Sequence, residues 1–165
     1  MNPPSMPADE AGRLVALREL LILDTPPEER FDRITAFAQS EFDVPTVLVS
    51  LVDGERQWFK SKVGLGACET PRDISFCGHA ILAPDVMVVP DARVDPRFAD
   101  NPLVTGDPFI RFYAGAPLVL PNGHAVGTLC LISPEPRIYD HVDEAIHRAL
   151  RDLIVEELQR RGGEG

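Results

Sequence analysis

The residues best suited to chemistry gather in one stretch of this 165-residue chain. From Glu69 to Leu82 it reads E-T-P-R-D-I-S-F-C-G-H-A-I-L, carrying Cys77 and His79, with Cys68 immediately before it. Cysteine and histidine together suggest nucleophilic, redox or metal chemistry. A metal centre is not supported. Cys68 and Cys77 lie nine residues apart, no C-x-x-C occurs, and Cys130 is distant, whereas a structural zinc site needs four convergent donors. The plainer reading makes Cys130 a core thiol on the last strand and Cys77 a small helix residue, and it is weighed ahead of redox chemistry. A Ser75–His79–Asp91 triple can be drawn, but no G-x-S-x-G elbow supports it, and acidic chains produce such triples by chance. Neither G-x-x-x-x-G-K nor G-x-G-x-x-G is present to cradle a phosphate. No catalytic constellation is complete, so the expectation is a binding or regulatory protein rather than an enzyme.

A small polar or amphipathic ligand needs aromatic walls and a few convergent charges. Trp58, Phe76, Phe98 and Tyr113 can supply the walls, and Asp91, Arg97, Asp100 and Arg111 the charges. The expected ligand-binding set is Trp58, Phe76, Cys77, His79, Asp91, Phe98, Arg111 and Tyr113. Each has a structural alternative. Trp58 reads first as a core aromatic. Arg97 or Arg111 held by Asp91 or Asp100 would fasten a loop to the sheet, and a lone histidine in a capped helix is usually a satisfied structural residue.

The elements that must position these groups follow from periodicity. Leu14, Leu17 and Leu21, widened by Val15 and Leu20, predict a helix over residues 9–21. Thr25 and Glu28 stand in capping-box register before a second helix to about Glu41, with Phe31, Ile34, Phe37 and Ala38 inward. The β-branched run 44–52, the turn Asp53-Gly54-Glu55-Arg56 and residues 57–63 predict a hairpin. Ser75 caps a short helix, and Gly78 within it implies close approach of backbone, partner or ligand. A strand over 85–89 precedes a long irregular segment, 91–108, in which 97–100 and 101–105 can each form a helical turn. Strands over 111–120 and 125–132 flank an Asn122-Gly123 turn, and 140–161 form the last helix with Val142, Ile146, Leu150, Leu153 and Leu158 inward. Residues 1–8 read as a disordered tail, 9–161 as one domain and 162–165 as a second tail in which Gly162 and Gly163 stop the helix. The class is α+β, because antiparallel hairpins exclude a doubly wound sheet.

Net charge of −10 and a pI near 4.8 argue against nucleic-acid or anionic-membrane binding through bulk electrostatics. Residues 1–12 lack a basic start and apolar core, and no run reaches the roughly 20 apolar residues of a membrane span. An odd cysteine count favours a reducing compartment, so the expected location is cytoplasmic.

The central stretch also resembles the signature of a subfamily of GAF domains, small ligand-sensing modules of bacterial sensor kinases, cyclic-di-GMP enzymes and phytochromes. The resemblance continues through Val89-Pro90-Asp91-Ala92, Asp95-Pro96-Arg97-Phe98-Ala99-Asp100-Asn101-Pro102, Ile110-Arg111-Phe112-Tyr113-Ala114-Gly115-Ala116-Pro117-Leu118 and Gly127-Thr128-Leu129-Cys130, and spans residues 13–137. It implies a central antiparallel sheet of five or six strands, first and last helices on one face, and a pocket on the other under residues 64–108. It implies a regulatory module of bacterial signalling that binds a small molecule or relays to a kinase or cyclase, as a homodimer through its terminal helices; it names no cofactor. A ligand under residues 64–108 would order that segment and shift the terminal helices. Free methionine-(R)-sulfoxide reductases share the fold and carry cysteines near the places of Cys68 and Cys77. Their catalytic cysteine falls at the start of the strand that here reads Arg111-Phe112-Tyr113-Ala114, where none stands, and this departs from that enzyme. Bilin attachment commonly uses a cysteine directly followed by histidine, whereas Gly78 separates Cys77 from His79. A module that only dimerises, its pocket filled by Trp58, Phe76, Phe98 and Tyr113, is the remaining alternative.

Overall fold

Residues 3–160 are described by the structure, a computed structural model. Its elements run α1 (Glu10–Glu19), α2 (Glu29–Phe42), β1 (Thr46–Val52), β2 (Arg56–Val63), β3 (Glu69–Pro71), α3 (Phe76–Ala80), β4 (Met87–Val89), α4 (Pro102–Thr105), β5 (Phe112–Val119), β6 (Ala125–Ser133) and α5 (His141–Gln159). Single 3-10 turns at Arg72–Ile74 and Ala92–Val94 precede α3 and follow β4. The class is α+β, as the periodicities imply. Six strands form one sheet in the order β3-β2-β1-β6-β5-β4, and every pairing is antiparallel. The stop glycines Gly162 and Gly163 lie outside the described residues. No described helix is long and apolar enough to cross a membrane.

Strand alternation divides the interior into two cores, because successive side chains point to opposite faces. On one face Val47, Val49 and Leu51 of β1 and Leu129 and Leu131 of β6 pack beneath α1, α2 and α5. On the other, Leu48, Phe59, Tyr113 and Cys130 pack beneath α3 and the segment leading to β5. The helical face therefore joins the N- and C-terminal regions, and the opposite face is roofed by short elements.

Several helix details differ from the periodic expectation, some of them because polar side chains are buried with partners. The Thr25–Glu28 capping box is not formed. The Thr25 hydroxyl donates to Ile22 O at 2.5 Å and accepts from Lys60 Nζ at 2.7 Å, while Glu28 pairs with Lys60 and Arg30. The register slips in the β1–β2 ladder after Val49, so Lys60 and Ser61 both reach the α2 side, Ser61 donating to Asp32 at 2.6 Å. In α1 the buried positions are Arg13, Ala16 and Leu17, and Val15 and Leu21 are exposed. Phe37 of α2 is likewise exposed, its inward place taken by Thr35 and Phe42. In α5 the inward line is His147, Leu150, Ile154 and Leu158; Val142 and Leu153 face outward.

His147 accounts for part of that rotation. Its Nε2 lies 2.7 Å from Leu129 O, which can only accept, so Nε2 carries the proton and Nδ1 accepts from Tyr139 Oη at 2.8 Å. Burial pushes its pKa down to about 4, with Arg151 adding to the shift and the Leu129 carbonyl opposing it. The unfolded chain takes up the proton at higher pH than the folded one, so stability falls as pH drops from 6.5 toward 4. A shift of this size corresponds to about 3 kcal/mol. Urea titrations at pH 7.5 and 4.5 should show the wild type losing about 2–3 kcal/mol relative to His147→Gln, which does not titrate. A gap that stays flat with pH would refute the assignment.

Candidate functional site

The sequence places the motif stretch over the sheet through a series of local closures. Arg72 N donates to Glu55 O, which holds the start of the 3-10 turn against the β1–β2 hairpin. Ser75 then caps α3 as expected, its Oγ accepting from Gly78 N at 3.0 Å and donating to Arg72 O at 2.7 Å. Gly78 is required by close approach. A Cβ there would stand 2.7 Å from both Pro4 Cγ and Ser75 Oγ, so the N-terminal segment lies directly on α3. Asn101 caps α4 through Leu103 N and donates to Ile74 O at 3.0 Å, fastening α4 to the turn before α3.

Beneath these closures sits a cavity of about 50 Å³. Thr46, Leu48, Gln57 and Phe59 form its floor, Phe76, Cys77 and Tyr113 one wall, and Leu65, Thr70, Leu103 and Pro108 its half-buried rim. Ligand pockets usually enclose about 300–1,000 Å³, so this one is largely filled by its own side chains. Phe76 and Phe98 stack at 4.0 Å with planes 7° apart, and Tyr113 tilts against Phe76 at 5.1 Å. Gly115 leaves room for the Tyr113 ring to lie along β5; a Cβ there would come within 2.8 Å of it.

Three of the expected ligand-binding residues meet at this cavity, namely Phe76, Cys77 and Tyr113. Phe98 is fully buried behind Phe76 rather than on the lining. His79 is half-buried with its ring edge-on to Phe98 at 4.9 Å, outside the lining. Trp58 belongs to the core under the helices, and Phe59 takes the cavity side. It therefore does not wall the cavity. Asp91 also misses it, because its carboxylate accepts from Arg93 N and pairs with the Arg93 guanidinium at 2.8 Å. Arg111 donates to Val104 O at 2.8 Å and Ile110 O at 3.3 Å. Arg97 pairs with Asp95 at 2.7 Å. Arg111 thus holds the end of the long segment and Arg97 is paired within it, both through partners other than those expected.

Two arrangements emerge that the sequence did not suggest. The first is a thiol pair: Cys77 Sγ lies 3.5 Å from Cys130 Sγ, with Thr128 Oγ1 at 3.0 Å and Tyr113 Oη at 3.2 Å. Burial pushes the Cys77 thiol up, but hydrogen bonds from Cys130, Ser50, Thr128 and Tyr113 outweigh it and bring Cys77 down to about 7. Burial and the neighbouring Cys77 push Cys130 up. Cys68 stands apart and exposed beside Lys62. The signal for the pair was parity, since Thr128 and Cys130 share the face of β6 opposite Leu129 and Leu131.

The second is a clasp between α1 and the motif stretch. Arg13 and Arg72, both buried, converge on Glu10 at 2.7 and 2.5 Å. Arg13 also donates to Val52 O, and Arg72 to Asp53 O. Partial burial alone would raise Glu10, but the two guanidinium groups hold it at about 2. Among the described residues, no group of three or more His, Cys, Asp and Glu is placed to hold a metal ion.

The family model for the GAF domain matches residues 26–158. The chain belongs to the GAF domain family. This GAF domain is 47% identical over 137 residues to Cyclic di-GMP phosphodiesterase of Pseudomonas aeruginosa, a match covering 83% of this chain and 23% of that protein. The chain thus spans about a quarter of the length of that curated relative. Solved structures agree on the fold. A type II free methionine-R-sulfoxide reductase from Thermoplasma acidophilum superposes with a TM-score of 0.67 at 15% identity, covering 88% of this chain and 96% of its own. The GAF domain of a phosphoenolpyruvate-protein phosphotransferase from Coxiella burnetii gives 0.66 at 15% identity, covering 92% and 95%. At such identities these two establish the GAF architecture alone.

Proposed function

We propose that this GAF domain is a regulatory module that controls cyclic-di-GMP turnover by an output region, reading a small-molecule signal at the roofed face of the sheet. The observation that carries this reading is the 47% identity to part of a cyclic di-GMP phosphodiesterase. The Glu10 clasp supports a physical route. Arg72 lies four residues before Phe76, so displacement of α3 by an occupant of the cavity pulls on Glu10 and, through it, on α1. A second copy completes the module through the outward face of α5, where Val142 and Leu153 are 53% and 46% exposed. The stacked Phe76 and Phe98 and the small cavity favour a second reading, an interaction module with no ligand.

Replacing the matched segment of the Pseudomonas relative with this chain tests the relay. The chimera should hydrolyse cyclic-di-GMP, and Arg72→Ala or Leu153→Glu should shift the rate by about 5-fold or more, the usual lower range of a coupling between sites. Indifference to both substitutions in a folded chimera would refute the relay. Native mass spectrometry of the same protein separates the two readings, since a non-covalent added mass requires a ligand.

A further inference from the structure

The relay just described makes no use of thiol chemistry, although Cys77 lines its cavity, and the geometry of the buried thiols is that of a reaction. The sulfurs of Cys77 and Cys130 are in van der Waals contact at 3.5 Å, and a disulfide needs them at about 2.05 Å. The pair is asymmetric. Cys77 lines the cavity, whereas Cys130 sits behind it with its sulfur toward Leu48 O at 3.7 Å. The hydroxyls stand nearer to Cys77: Thr128 lies 3.0 Å from its sulfur and 3.4 Å from that of Cys130, and Tyr113 lies 3.2 Å from Cys77. The cavity of about 50 Å³ is apolar and admits a molecule of a few heavy atoms. We propose that Cys77 and Cys130 are a peroxide-oxidised dithiol, with Cys77 the attacking and Cys130 the resolving sulfur.

The Cys77 thiolate attacks one oxygen of a hydroperoxide and the O–O bond breaks. The departing oxygen leaves as water or an alcohol, carrying the proton that Cys77 lost, and Cys77 becomes a sulfenic acid. The Cys130 sulfur then attacks the Cys77 sulfur, the S–O bond breaks, and the hydroxide leaves with the Cys130 proton as water. Two thiols lose two electrons, and the peroxide gains them. The titratable groups facing Cys77 are Tyr113 from β5 and Cys130 from β6; Ser50 and Thr128 contribute neutral hydroxyls from β1 and β6. The lowered Cys77 thiol supports the assignment of the attacking sulfur. Closing the bond draws α3 toward β6 by about 1.5 Å, the difference between contact and bond length. This proposal stands apart from the cyclic-di-GMP relay and is tested without it.

The experiment uses the full reduced chain with hydrogen peroxide and, separately, tert-butyl hydroperoxide. Samples are alkylated in denaturant, weighed and peptide-mapped. The expected result is one alkyl group added where the reduced chain takes three, on a chain about 2 Da lighter as two thiols become one disulfide, with the Cys77 and Cys130 peptides joined and Cys68 still alkylated. Oxidation should quicken as pH rises through neutrality, below the range of an ordinary thiol, because the hydrogen bonds around Cys77 favour its thiolate. Cys68→Ser should change nothing, and Cys130→Ser should leave Cys77 as a sulfenic acid that dimedone traps. Oxidation of Cys68 alone, or reaction of Cys77 and Cys130 only in urea, would overturn the proposal. The wild-type peptide map decides the matter even where a variant does not fold.

Discussion

Phe98→Ala should lower unfolding stability by about 3–5 kcal/mol, the range for truncating a buried phenylalanine. The ring is fully buried, stacked on Phe76, met edge-on by His79 and covered by the Arg97 guanidinium 5.1 Å from its centroid. Its loss removes both the transfer energy of the ring and the dispersion contacts on two faces. The site borders the cavity through Phe76, so the vacated space can merge with it when Phe76 turns. The test is urea denaturation with and without saturating benzene. The variant should recover part of its lost stability with benzene and the wild type should gain little, because binding to the native state alone stabilises it by mass action. A loss below about 1 kcal/mol would mean the roof repacks freely and is not a formed core. A full loss without rescue would mean that Phe76 holds its place and the cavity does not open in this direction.

This behaviour bears on why some features were legible in the sequence and others were not. The sheet was legible because β1 and the two hairpins combine β-branched runs with turn residues, including Asn122-Gly123 between β5 and β6. The three-residue β3 was not, since its pairing with Arg56, Gln57 and Trp58 leaves too short a pattern to see. Apolar periodicity also failed where polar side chains are buried with partners. Arg13 enters the core because Val52 O and Glu10 accept its hydrogen bonds, and His147 because Leu129 O accepts from its Nε2 and Tyr139 donates to its Nδ1. A hydrophobic stripe cannot reveal such positions. Arg30 shows the same effect from α2, donating to Glu157 O and Arg160 O at the end of α5.

At the site, local chemistry could be read and long-range pairing could not. The Ser75 cap and the crowded Gly78 follow from residues within a few positions of each other, although nothing local identified Pro4 as the occupant. Trp58 and Phe59 compete for the same face one residue apart, and the β-bulge beside them obscures the parity that would decide between them. Cys77 and Cys130 are separated by 53 residues and meet only through the placement of α3 over β6.

The largest electrostatic effect should come from Glu10→Gln, which is expected to cost about 3 kcal/mol, the lower part of the range for leaving buried charge uncompensated. Arg13 and Arg72 would then share no carboxylate, though each keeps a backbone acceptor in Val52 O or Asp53 O. Those carbonyls are why the cost stays at the low end. The same clasp predicts an acid dependence. Glu10 is held below its ordinary value, so its contribution is complete above about pH 4.5 and is lost as pH falls through about 2. Urea titrations of wild type and variant at pH 7 and pH 3 should therefore show a gap that narrows in acid. Hydrogen exchange supplies the functional half of the test. Clasp loss should raise exchange in α1 and in the Arg72–Ile74 turn together while β1 and β6 keep their protection, because Glu10 joins those two segments and does not support the central strands. Faster exchange in α1 alone would make Glu10 an ordinary helix anchor through Arg13 and would remove the physical route from the roofed face to the terminal helix.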